Sequence, residues 1–245
     1  MKLLIDGDII AYRAAAAAET PINWGDGLWT LHAHEDDVMR KVDEGMQRLI
    51  DGASATMELE KVAVAISHTN NFRKGIADYY KANRKDTRKP MLLKFAKDYM
   101  YDEYDGIMHD NLEADDVLGL YATGKEEWGI WSLDKDLLSI PGYHYFDEAG
   151  MWTEIDEETA DRWFYKQALT GDMVDNYPGC PRVGDKTADK ILDGSGKPWD
   201  LVVAAYYKAG LSEEVALEQA RLARILRNGE YNYTTGEVTL WNPPS

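Results

Sequence analysis

Three carboxylates fall within four residues in "NLEADDVLGL": Glu113, Asp115 and Asp116 beside an apolar run. The spacing of Leu112, Val117, Leu118 and Tyr121 predicts the start of an amphipathic helix. For one such cluster alone the ordinary explanation is capping, because acidic side chains suit the positive end of a helix dipole. The pattern recurs, however. "SLDKDLLSI" supplies Asp134 and Asp136, "GDMVDNYPG" supplies Asp172 and Asp175, and the apolar run of "KLLIDG" ends on Asp6. Carboxylates that converge repel one another, which raises their pKa values or unfolds the site unless cations are present. Oxygen-only ligand sets suit hard divalent ions, magnesium first and manganese as a substitute. Two such ions about 4 Å apart clamp a phosphodiester, one activating a water and the other stabilising the departing oxygen.

Other residues bear on the same chemistry. Asp8 completes an Asp-x-Asp after the first apolar run, a pattern that also opens phosphatases using the first Asp as nucleophile. Ile9 and Ile10 follow where such enzymes carry small or hydroxylic residues, leaving Asp8 as a turn residue or an outer support of the site. The net charge is −17, yet "FRKGIADYYKANRKDTRKP" concentrates Arg73, Lys74, Lys81, Arg84, Lys85, Arg88 and Lys89 against Asp78 and Asp86. Phe72, Tyr79 and Tyr80 lie among these cations, the mixture that single-stranded nucleic acid meets by stacking and charge. Further on, Pro178, Gly179, Pro181 and Gly184 set a rigid turn before the helix text "DKTADKIL", where backbone amides and Lys186 can face a phosphate without reading sequence.

These residues need elements to position them. "KLLIDG", "EKVAVAISHT", "EWGIWSLD" and "GYHYFD" read as strands. "EDDVMRKVDEGMQRLIDG", with Val38, Val42, Met46 and Leu49 on one side, "PMLLKFAKDYM" and the Glu113 segment read as helices. Alternation of this kind predicts an α/β fold with a parallel sheet between helical layers, its functional groups gathered beyond the carboxyl ends of the strands. Asp6, Ser67 or His68, and Asp134 with Asp136 occupy three such ends. From Glu157 the text is helical, so residues 1–156 are expected to form a catalytic domain and 157–245 a helical lobe with a strand-like tail at "YNYTTGEVTLWNP".

The bulk properties set limits. A chain of 245 residues, 44% of them hydrophobic, can bury a sizeable core. Cys180 is the single cysteine, which removes an intramolecular disulfide framework and a cysteine zinc site and suits the cytoplasm. No apolar run is long enough for a membrane span, and Asp6 and Asp8 interrupt the apolar N-terminus that a signal peptide would need. Net acidity argues against a nucleic-acid partner only on average, since binding responds to the local field.

Taken in order, "LIDGD", "YKANR", "LEADDVLG", "SLDKDLLSIPG" and "GDMVDNYPGCPRVGDKTADKIL" resemble the successive motifs of the flap endonuclease and 5′-3′ exonuclease superfamily, most nearly its bacteriophage exonucleases. The resemblance runs from Met1 nearly to the C-terminus. It implies a PIN-like α/β domain followed by a helix-three-turn-helix motif around residues 171–193, and magnesium-dependent hydrolysis of duplex or flapped DNA from a 5′ end. It implies metal ligation by Asp6, Glu113, Asp115, Asp116, Asp134, Asp136, Asp172 and Asp175, with Asp116 also among the catalytic groups. Lys81 and Arg84 match the basic pair at the scissile phosphate. Arg73, Tyr80, Lys85, Gly179, Val183, Gly184, Lys186 and Thr187 are the further expected DNA contacts. Where the family has an Asp after the second strand this chain has Ser67 and His68, so His68 is either a nitrogen ligand favouring manganese or a turn residue. The segment between Lys81 and Glu113 is short for a threading arch. If phage-encoded, the protein works in the host cytoplasm. A PIN-type ribonuclease, a small-ester phosphatase and a non-catalytic DNA-structure binder are the competing readings.

Overall fold

The computed structural model describes residues 1–126, 128–146 and 148–244. Glu127 and Asp147, at the edges of two expected strands, lie outside the described residues. The chain begins with β1 (Lys2–Asp6), whose Leu3, Leu4 and Ile5 are fully buried. It passes without a loop into α1 (Gly7–Ala17). Gly7 permits this abrupt change, since a Cβ there would stand 2.5 Å from Ile66 Cδ1 and 2.9 Å from the Ala65 carbonyl oxygen.

A two-stranded hairpin, β2 (Thr20–Asn23) and β3 (Trp29–His32), then leaves the body. Its turn uses Gly25, Asp26 and Gly27 in succession at positive φ, which glycine and short polar residues tolerate. Next, α2 (Glu35–Ser54) buries Val38, Val42, Met46 and Leu49 as their spacing predicts. β4 (Lys61–Ala65) follows, and after the basic segment comes α3 (Leu93–Glu103), whose Ala96 and Met100 are buried in the same core as α1 and α2.

α4 (Ala114–Ala122), β5 (Trp128–Trp131), β6 (Gly142–Phe146) and β7 (Met151–Ile155) complete a five-stranded sheet of order β4-β1-β5-β6-β7. The first four strands run parallel, so β4, β1 and β5 end at one edge. β7 pairs antiparallel to β6 and was not foreseen, nor was the β2–β3 hairpin.

The later part is helical: α5 (Glu157–Thr170), α6 (Asp185–Leu192), α7 (Pro198–Lys208) and α8 (Glu213–Ala223). Their core, built on Phe164, Leu169, Trp199, Val202 and Tyr206, also takes in Ala77 and Tyr80 from the basic segment. Beyond α8, Ile225, Leu226 and Tyr231 pack with α4 and the sheet, and β8 (Tyr231–Asn232) pairs with β9 (Glu237–Val238) around the expected terminal turn. No helix among the described residues is long and apolar enough to cross a membrane.

Candidate active site

Asp6 ends β1 and caps α1: Oδ1 accepts from the Ile9 amide at 3.3 Å and Oδ2 from Ser132 Oγ at 2.8 Å. Its side chain is buried, and burial together with the charge of Asp8 pushes the carboxyl up to about 7 despite those hydrogen bonds. Asp8, in the first turn of α1, accepts from the Ser67 amide at 3.2 Å and pairs with Lys97 at 2.8 Å. Past β5, Ser132 Oγ accepts from the Asp134 amide at 3.0 Å, and Asp134 in turn accepts from the Asp136 amide at 2.9 Å. Burial raises both carboxyls, and the neighbouring Asp134 and Asp172 help bring Asp136 to about 7. Asp115, on the first turn of α4, is raised further by burial and by the charges of Asp6 and Asp134. With Glu113 and Asp175 these carboxylates line one crevice of about 340 Å³.

Cations stand in the same crevice. Lys81, at φ +53, opens a 3-10 turn over Ala82–Arg84, and its amide donates to the Asp175 carbonyl at 2.8 Å. This turn sends the Lys81 and Arg84 side chains the same way. Lys81 Nζ bonds to the Glu113 carboxylate and lies 3.3 Å from Asp175, which Arg84 also holds. Burial opposes the charge on Lys81, but Glu113 and Asp175 outweigh it and raise its pKa. Burial would likewise raise Glu113, yet Lys81 and Arg73 bring it down to about 2. The crevice is divided: Asp6, Asp115 and Asp134 repel one another on one side, and Glu113 and Asp175 are neutralised by basic side chains on the other.

Several expected site residues lie elsewhere. Asp116 is fully buried and does not face the crevice. It takes the Arg73 guanidinium bidentately at 2.7 Å, accepts from the Leu226 amide at 3.2 Å, and closes a capping box with Glu113. Its expected role as a metal ligand and catalytic group is therefore corrected to a structural one. Arg73 is not a surface DNA contact either: it is 2% exposed, and it also donates to the carbonyls of Leu222 and Arg224. Tyr80 is 3% exposed, with only its hydroxyl reaching Glu113 and Asp175, so its ring has no face to offer a base. His68 is turned toward the neighbouring loop, where Nδ1 accepts from the amides of Asn70 at 3.2 Å and Asn111 at 3.1 Å. Ser67 is the residue that lines the crevice, and its Oγ accepts from the Ala114 amide at 2.8 Å. The Gly179 amide is spent on Gln219, whereas Gly184, Lys186 and Thr187 are exposed at the start of α6, as is Lys85 on the basic segment. Val183 is half-buried, and Asp172 lines an adjoining cleft with Asp136 and Lys166.

The family model described as the 5′-3′ exonuclease N-terminal resolvase-like domain matches residues 1–163. The chain belongs to this exonuclease family. An exodeoxyribonuclease of enterobacteria phage T3 is 31% identical over 99% of the chain and 93% of its own length. An exonuclease of Escherichia phage T7 is 30% identical over 98% and 93% respectively. Among solved structures, the bacteriophage T5 flap endonuclease in complex with DNA and metal ions superposes with a TM-score of 0.62 at 14% identity. That match covers 90% of this chain and 88% of the T5 chain, and it shows a shared fold.

In this exonuclease the donor set suits a hard divalent cation. Among the described residues the potential metal ligands of its crevice are oxygens, and burial and neighbouring charge favour protons on Asp6, Asp115 and Asp136 that a cation would replace. Among the described residues no three acidic side chains are already closed into a ligand set, because Lys81 and Arg84 hold two of the carboxylates. Sequence reasoning missed Ser132, Tyr12 and Arg13, although Tyr12 and Arg13 line the crevice one helical turn beyond Asp8. The i, i+4 spacing of Asp8 and Tyr12 on the first helix was the available signal, and Arg13 follows at the next position.

Proposed function

We propose that this exonuclease hydrolyses phosphodiester bonds of DNA from a 5′ end, on duplex, nicked or flapped substrates, with two magnesium ions. The observation that carries the reading is the divided crevice, where mutually repelling carboxylates face a basic pair at the ends of β4, β1 and β5. Asp6, Asp115, Asp134, Asp136 and Asp175 would hold the metal with Glu113, and Asp172 would act from the adjoining cleft. When bound, divalent ions supply a water that ionises near neutral pH and charge that offsets the departing oxygen, and manganese would serve in their place.

The chain's own residues do the rest. Lys81 and Arg84, released from Glu113 and Asp175, meet the scissile phosphate and stabilise charge that grows in the transition state. Ser132 and Ser67 fix Asp6 and the start of α4, so the ligands need little reorganisation. The exposed amides at Gly184 to Lys186 would receive a phosphate of the duplex, with Thr187 and Lys85 alongside, in keeping with residues 157–245 as the DNA-holding lobe and 171–193 as its helix-three-turn-helix. If the chain is phage-encoded, its working compartment is the host cytoplasm.

The test uses 5′-labelled blunt duplex, flapped duplex, single-stranded RNA and a small phosphomonoester, each with magnesium and with chelator. Metal-dependent release of short products from the DNA 5′ end is the expected result. Cleavage of RNA with DNA left intact would assign a PIN-type ribonuclease instead. Binding without cleavage would leave a DNA-structure binder.

A further inference from the structure

Gln219 is a polar side chain in the middle of α8, 2% exposed, in a core otherwise built of apolar and aromatic residues. A buried amide is tolerated only when its hydrogen bonds are made. Oε1 accepts from the Gly179 amide at 2.9 Å, and Nε2 donates to Tyr79 Oη at 2.9 Å. Tyr79 Oη in turn donates to Glu218 at 2.5 Å.

The two partners belong to different parts of the crevice. Gly179 closes the loop that begins at Gly171 and carries Asp172 and Asp175. The two glycines stand at φ +65 and +66, and a Cβ on Gly179 would lie 2.3 Å from the Gly171 nitrogen. This closure leaves no slack, so whatever moves Gly179 moves the loop. Tyr79 stands two residues before Lys81. Its carbonyl accepts from Asn176 Nδ2 at 2.7 Å, and Asn83 reaches the carbonyls of Met173 and Val174 at 3.2 and 3.3 Å. Loop and basic segment are thus laced together at the crevice, and among the described residues Gln219 is the one side chain bonded to both from behind.

We propose that Gln219 is a positioning residue that sets Lys81 and Arg84 in register with Asp175. The inference rests on the reading of Lys81 and Arg84 as phosphate contacts. Gln219 is buried behind the crevice and the Tyr79 hydroxyl is turned to Gln219 and Glu218, so their loss should act on turnover through geometry. A misplacement of order 1 Å in a reacting group is costly in rate while leaving most binding contacts intact.

Three variants test this. Gln219→Leu removes the bonds to Gly179 and Tyr79, with a longer one to Glu218 at 3.4 Å, at similar size, and Tyr79→Phe removes the Tyr79 hydroxyl's bonds to Gln219 and Glu218 while keeping the one to Gly179. Tyr206→Phe removes a buried hydroxyl from the same core, bonded to the Ala168 carbonyl at 2.6 Å and to neither Gln219 nor the loop from Gly171 to Gly179. Each is read by single-turnover cleavage of a 5′-labelled duplex at saturating DNA and magnesium, by DNA affinity in calcium, and by thermal melting. Gln219→Leu should lose about tenfold or more in rate, given the steep dependence of rate on alignment, with affinity within about twofold. Tyr79→Phe should lose rate in the same direction, and the double variant should be no slower than Gln219→Leu, since one network is lost once. Tyr206→Phe should keep the wild-type rate whatever its melting temperature.

Wild-type rates for Gln219→Leu and Tyr79→Phe would overturn the proposal, as would rate losses in all three variants that follow melting temperature. If Gln219→Leu does not fold, the comparison of Tyr79→Phe with Tyr206→Phe decides. A wild-type protein that cleaves no DNA would instead refute the nuclease reading, an outcome visible before any variant is compared.

Discussion

Asp116→Ala should behave as a folding mutation. Asp116 is fully buried and holds both terminal nitrogens of Arg73, the Glu113 amide and the Leu226 amide. Removing it strands a guanidinium in the interior, which costs about 3–5 kcal/mol when a buried pair is broken from one side. That is a large fraction of the roughly 5–15 kcal/mol that holds a folded protein together. At about 2–4 °C per kcal/mol for a chain of this size, the melting temperature should drop by ~6–20 °C. Thermal melting and urea unfolding followed by circular dichroism, both in chelator, measure the temperature shift and the free-energy loss. The comparison is Asp134→Ala, which removes one of several crowded, exposed-edge carboxylates and should leave metal-free stability equal or higher while abolishing cleavage. Replacing both partners, Arg73→Met with Asp116→Leu, should recover much of the Asp116→Ala loss, because no unpaired charge then remains. An Asp116→Ala protein within about 1 kcal/mol of wild type, with weakened metal binding, would refute the structural assignment and return Asp116 to the metal site.

Lys81→Ala should bind calcium or manganese more tightly than wild type in isothermal titration, because Lys81 must leave Glu113 and Asp175 before an ion can use them; Lys85→Ala, with the same charge change on an exposed side chain, should bind as wild type, and equal gains in both would reduce the effect to net charge. Stability should depend on pH through Asp6 and Asp136, whose carboxyls stand near 7 in the folded chain against an ordinary value of 3.8. The folded state then holds protons that the unfolded chain releases, so their contribution is complete below about pH 4 and is lost as pH rises through 7. Magnesium replaces those protons, and the rise in melting temperature it produces should therefore grow from pH 5 to 7.5, in the manner of a proton-coupled metal site; a metal-induced shift independent of pH would count against ligation by these groups. His68→Ala should leave the ratio of magnesium- to manganese-supported rates unchanged and cost about 1 kcal/mol in urea unfolding, since it removes an acceptor from two loop amides.

Much of this site was legible from the residues alone. An apolar run that ends on Asp, met at two of the three expected strand ends, places carboxylates at one edge of a parallel sheet, and Asp6, Asp134 and Asp136 are found there. Adjacent residues on a helix were harder. Asp115 and Asp116 point about 100° apart on α4, and the spacing of acids does not say which of the two faces solvent. The Glu113-x-x-Asp116 interval is a capping signature, and it was read as chemistry. Arg73 looked like one more cation in a basic run because its partner lies 43 residues away, and no local pattern reports such a pair. Tyr80 misled for the same reason: a ring among lysines reads as a stacking surface until the helices that bury it are in place. The β2–β3 hairpin did carry a local signal, the Gly25-Asp26-Gly27 turn, which was passed over.

The Arg73 clamp also has a consequence in time. Its guanidinium is satisfied in part by the carbonyls of Leu222 and Arg224, as much as 151 residues further along the chain, and Asp116 is completed by the amide of Leu226 at a separation of 110. During synthesis at roughly 5–20 residues per second, the N-terminal sheet emerges several seconds before these late partners do. Until they arrive, Arg73 and Asp116 lack part of their shell, and the Glu113 turn that depends on them is unsupported. Contacts spanning such distances are also slow to close after release. A nascent copy of this nuclease, still tethered beside the message that made it, thus lacks the last hydrogen bonds that hold Arg73 and Asp116 until residues 222–226 have emerged.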